Sequence, residues 1–150
     1  MRAFVSLCVL GITVSLAGCF GEVSRVVRPE NVADDPAFAE AAAQAKATFS
    51  EFVTAWRTKR RSNMFQVMKA FESEVGGLVY VWIEVTDLTG GVIKGKLREI
   101  PEFPIGLDVG DKVSVDRDEI VDWLYYNYGG EVTGDFTTDA YTAYLVKKRG

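Results

Sequence analysis

The run from Val79 to Val85 sets the terms for the rest of the chain. Val79, Val81, Ile83 and Val85 alternate with Tyr80, Trp82 and Glu84, the period-two pattern of a strand with one apolar face. Thr89-Gly90-Gly91 then turns the chain, and Val92 to Arg98 returns with Ile93 and Leu97 inward and Lys94, Lys96 and Arg98 outward. The two runs form an antiparallel hairpin. Its apolar side has to be covered by another element. The outward lysines also suit an edge strand, where charge discourages pairing with foreign chains.

The cover is written upstream. Asp35-Pro36 is a helix start, with Asp as N-cap and Pro at the first helical position, where its missing N–H costs nothing. Phe38, Ala42, Ala45, Phe49, Phe52 and Trp56 follow at steps of four and three, a single apolar stripe. Lys59, Arg60 and Arg61 suit the negative end of the helix, and Ser62-Asn63 is expected to stop it. The stripe is expected to lie on the sheet; a coiled-coil partner is the alternative.

Further strands are expected from Met64 to Glu72 and from Lys112 to Val115, the latter after the Gly110-Asp111 turn. Pro101 and Pro104 mark the loop between the hairpin and this second strand. Asp116-Arg117-Asp118-Glu119 makes a charged break, after which Ile120 to Tyr126 is apolar and aromatic apart from Asp122. Gly129-Gly130 turns this segment toward Val132 and Phe136, and Thr138 or Asp139 can cap a short final helix carrying Tyr141, Tyr144, Leu145 and Lys148 on one side. A final strand competes for that segment. The expected fold is α+β over residues 35–150: an N-terminal amphipathic helix packed on a bent antiparallel sheet, with a short C-terminal helix.

The N-terminus reads as an address. Ala3 to Phe20 carries no charge and follows Arg2, the basic start and apolar run of a secretory signal. Leu16-Ala17-Gly18-Cys19 resembles the lipobox of bacterial lipoproteins, which implies a signal peptide over 1–18, a diacylglyceryl group on Cys19 and a lipidated tether over 19–34. The membrane partner is then engaged through lipid, and stable anchoring takes at least two chains. Ordinary secretory cleavage near Ala17 is the competing reading. Phe20 lacks the acidic character that retains many lipoproteins at the inner membrane, so the resemblance favours the periplasmic face of an outer membrane. The formal charge of −4 becomes −5 once Arg2 leaves with residues 1–18, which offers nucleic acid no basic surface. Of the two cysteines, Cys8 and Cys19, the first would be lost with the signal, leaving no internal disulfide.

Residues 64–137 are similar to the YegJ-like domain of unknown function 2314. The residues that carry the likeness are Trp82-Ile83-Glu84-Val85, Ile93-Lys94-Gly95-Lys96-Leu97, Gly110-Asp111-Lys112-Val113-Ser114-Val115, Ile120-Val121-Asp122-Trp123 and Gly134-Asp135-Phe136-Thr137. The resemblance implies a small α+β domain and no activity.

Histidine is absent, which removes the commonest general base and metal ligand. No phosphate-binding glycine loop occurs, and no cofactor or metal is expected. Asp111, Asp116, Asp118, Glu119 and Asp122 are the remaining acid-base candidates; Asp118 and Asp122 are the pair a carboxylate-dependent hydrolase would use. Without catalysis, Asp122 is expected to bond backbone donors beside Trp123 or to face water. Trp82, Trp123, Tyr125, Tyr126 and Tyr128 are the candidate binding residues, since aromatic rings give large contact area with polar handles. The two tryptophans also suit the core. The main reading is a non-catalytic binding or accessory module of the cell envelope, meeting an envelope protein or a glycan. An envelope hydrolase and a self-associating structural lipoprotein are the alternatives.

Overall fold

The computed structural model describes residues 29, 31–59, 63–127 and 129–149. Helix α1 (Pro36–Lys59) precedes strands β1 (Asn63–Glu72), β2 (Leu78–Thr89), β3 (Val92–Leu97), β4 (Lys112–Asp116), β5 (Ile120–Asn127) and β6 (Val132–Gly134), and helix α2 (Thr138–Arg149) closes the chain. The strands form one antiparallel sheet in the order β4-β3-β2-β1-β5-β6. The fold is α+β, as the alternation and the stripe predict.

Asp35 caps α1 as expected, its Oδ1 accepting the amides of Ala37 at 3.0 Å and Phe38 at 3.2 Å. Phe38, Ala45, Phe49, Phe52 and Trp56 of the stripe are buried and Ala55 joins them, while Ala42 is half-buried. Phe52 packs edge-on against Phe65 of β1 and tilts over Trp123 of β5, with ring centroids 5.4 and 5.7 Å apart. The stripe is consumed by the chain's own sheet, which leaves no coiled-coil seam for a second chain. Phe38, in the first turn, instead meets Tyr80 of β2 and Tyr141 of α2.

The inner face of the sheet carries Phe65, Val67, Val81, Ile83, Ile93, Val115 and Trp123, all buried. Phe103, Ile105 and Leu107 of the β3–β4 connection pack against the same core. That connection is tied down where Pro104 O accepts the amide of Glu74 at 2.9 Å and the hydroxyl of Ser73 at 3.2 Å.

Two bulges interrupt the register of the sheet. Thr86 is the extra residue of β2 opposite β3, and Val121 that of β5 opposite β1; an unpaired residue raises local twist and re-aims the side chains beyond it. Gly95 allows β3 to lie close on β2: an added Cβ would fall inside contact with Ile83 and the carbonyl of Glu84.

Three expectations are corrected. β3 is flanked on both sides, so its lysines guard no edge; the edges are β4 and β6. Asn63 already belongs to β1 rather than to a helix stop, and Ser62 lies outside the described residues. The residue at the start of α2 is Thr137, whose carbonyl accepts the amide of Tyr141, with Thr138 inside the helix.

Candidate functional site

The bulge at Val121 decides the fate of the acid beside it. Ile120 pairs with Lys69 and Asp122 with Met68, so Val121 is passed over, and Asp122 lies on the face opposite Ile120, which simple alternation would have placed beside it. There Asp122 is fully buried. Its Oδ1 accepts the Trp123 amide at 2.7 Å, and its Oδ2 accepts the amide and the hydroxyl of Thr137 at 2.8 and 2.7 Å. Burial raises its pKa above the ordinary aspartate range, opposed chiefly by the Thr137 hydroxyl and then by main-chain donors. Both oxygens are engaged inside the protein, the arrangement of a structural carboxylate.

The neighbouring motif answers it from the other side. Gly134, at φ +93°, lies against Trp123, where any Cβ would run into that residue's carbonyl and ring. Asp135 adopts φ +64° and donates its amide to Trp123 O at 2.9 Å. Phe136 then packs edge-on against the Trp123 ring at 5.5 Å, and Thr137 reaches Asp122. On its far side the indole N–H of Trp123 donates to Ala45 O of α1 at 2.8 Å. Asp122-Trp123 and Gly134-Asp135-Phe136-Thr137 are one interlocked unit.

The other nominated acids are separate. Asp118 is exposed and lines a small pocket of about 180 Å³ with Lys46, Phe49, Arg117 and Ile120, while Asp122 lies beneath the surface. Glu119 bonds Lys69 at 2.7 Å and the Asp116 amide at 3.0 Å; the Lys69 ammonium above all holds its carboxyl below the usual range. Asp111 accepts the Asp108 amide in its turn. Among the described residues, no three His, Cys, Asp or Glu side chains are grouped to hold a metal ion.

The aromatic candidates do not form one patch. Trp123 is 1% exposed and offers no contact surface. Trp82 and Tyr126 are half-buried on the outer face, the Tyr126 hydroxyl donating to Met64 Sδ at 2.8 Å. Tyr125 points the other way, stacked on Phe65 at 5.1 Å. Tyr128 and Cys19 lie outside the described residues.

Tyr125 lines a groove. Ser50, Glu51, Thr54, Ala55, Thr58 and Lys59 of α1 complete an open depression of about 310 Å³ beside it, with Lys59 Nζ 5.6 Å from the ring centre. The hydroxyls of Thr54 and Thr58 donate to the carbonyls one turn back, at 2.9 and 3.0 Å. Their oxygens are left as acceptors. This lining was missed at the level of sequence; its signal is the spacing by four of Ser50, Thr54 and Thr58 beside the apolar stripe, which only a partner strand turns into a wall.

The family model for an uncharacterized protein conserved in bacteria, DUF2314, matches residues 35–149. The chain belongs to the DUF2314 family. No curated protein and no solved structure matches it significantly. The DUF2314 match extends beyond residues 64–137 at both ends, so α1 and α2 are parts of the family domain, in keeping with the contact of α1 on Trp123. Within this DUF2314 domain the two motifs around Asp122 and Thr137 hold the segment after β6 against β5, and Tyr125 lines an open groove beside α1.

Proposed function

We propose that this DUF2314 protein is a lipid-anchored, non-catalytic binding module of the bacterial cell envelope. Leu16-Ala17-Gly18-Cys19 behind an uncharged run supports the anchor, on the periplasmic face of the outer membrane where the cell has one. No helix among the described residues is long and apolar enough to cross a membrane.

The observation that carries the binding reading is the Tyr125 groove. The half-buried Tyr125 ring, stacked on Phe65, gives the groove an apolar wall that suits the C–H groups of a sugar or an apolar side chain. Around it stand the hydroxyl oxygens of Thr54 and Thr58 and the carboxylate of Glu51, all acceptors, with Lys59 as donor. An acceptor-rich rim suits a partner rich in O–H and N–H groups, which a glycan is. A partner protein presenting amides is the second reading on the same observation.

The test is calorimetric titration of the acyl-free protein with soluble peptidoglycan fragments. Tyr125→Ala is expected to weaken binding about tenfold, on the order of one aromatic contact, with the urea midpoint followed in parallel. Binding that is absent, or identical in the two proteins, counts against a glycan in this groove. Capture of an envelope protein that depends on Tyr125 would move the reading to the second partner.

A further inference from the structure

Strand β4 ends the sheet, and no described strand pairs with its outer side. Lys112 and Asp116 stand at its two ends with Ser114 midway, all three exposed, while Val113 and Val115 are buried in the core. An edge lysine ordinarily turns foreign strands away. Here it is itself poorly placed. Lys112 lies directly opposite Lys96 of β3, a cross-strand position in which like charges repel. Neither lysine has an ion-pair partner among the described residues, because Glu84, opposite Lys96 on the other side, is bonded to Arg98 at 2.7 Å. At the far end Asp116 lies opposite Val92, fixed by a reciprocal capping box with Glu119.

We propose that β4 is a self-pairing edge whose partner is a second copy of this chain, joined antiparallel about a two-fold axis through Ser114. In that register Lys112 faces the partner's Asp116 and Asp116 faces the partner's Lys112. Val113 meets the partner's Val115, and the two Ser114 residues face each other. One operation balances both charged ends, and the lysine set against Lys96 gains a carboxylate on its free side. A parallel in-register arrangement would set lysine against lysine, and a slip by one residue would turn the valines to the wrong face. The pattern therefore selects one register, and an isologous contact of this kind closes as a dimer. It uses a surface distinct from the α1 stripe and stands independently of the lipid anchor and of the groove at Tyr125, which lies toward the other end of the strand order.

The test is disulfide trapping in intact bacteria expressing the full chain with Ser114→Cys. Facing residues of an antiparallel pair have Cα atoms about 4.5–5.5 Å apart, within the roughly 4.4–6.8 Å a disulfide spans. A mild oxidant is expected to yield linked dimer. The chain without that cysteine gives the background from Cys19, and Lys96→Cys on the neighbouring strand is expected to stay at that background. In the Ser114→Cys chain, Lys112→Glu or Asp116→Lys should each reduce linked dimer roughly tenfold. Co-expressing those two variants should restore linkage between unlike chains only, which also shows that both fold. No linkage at Ser114→Cys, or linkage indifferent to the charges, overturns the proposal.

Discussion

Asp122 is a carboxylate kept in the interior by three donors from two residues, and its removal leaves them without an acceptor. Asp122→Ala is expected to lower unfolding stability by about 2–4 kcal/mol, read from urea midpoints at neutral pH, because unpaired buried donors cost more than a lost hydrogen bond gains. Its titration has a definite sign. The native pKa is raised, so the folded chain holds that proton more tightly than the unfolded one. Stability from this group therefore falls as pH rises from about 3.9 through the native value. Glu119 acts oppositely: its native pKa is lowered, first by the hydrogen bond from Lys69, and its contribution is lost as pH falls through that lowered value. Asp122→Asn should abolish the first slope and leave the second, in urea midpoints followed from about pH 3 to pH 7. Equal slopes in the two proteins would mean that another group titrates there.

At the scale of elements, the turn from β6 into α2 is fixed by two successive left-handed residues, Gly134 and Asp135. Gly134→Ala adds a backbone penalty and drives a methyl into Trp123, and is expected to cost about 3 kcal/mol or more, seen in urea unfolding followed by tryptophan fluorescence. Phe52→Ala, which empties the seam between α1 and the sheet, should cost about 3–5 kcal/mol. The helix and most strands were legible because periods of two and of about 3.6 are local properties of the chain. The edges were not, because the partner of a strand is a matter of topology: Lys94 and Lys96 look like edge guards until β4 pairs beside them. Nor was the side taken by Asp122. Simple alternation would have put it with Ile120, and the bulge at Val121 depends on pairing with β1. The split of Tyr125 from Tyr126 was legible from parity alone. Which of them lined a groove was decided by α1.

At the scale of the whole molecule, the proposed anchor and the folded domain are separable. On the proposed anchoring, Cys19→Ser is expected to abolish processing and palmitate labelling and to move the protein out of the membrane fraction, while the isolated fold melts as before. Processing, mass and labelling unchanged by that substitution would remove the lipid. The interlock of β5 with the segment after β6 carries a last consequence. Two of the three donors to Asp122 come from Thr137, fifteen positions downstream, so a chain halted at Gly134 holds a carboxylate in an oily slot with a single amide to answer it. A chain trimmed of that C-terminal tail is expected to be less stable, and more readily cut by protease, than the full one.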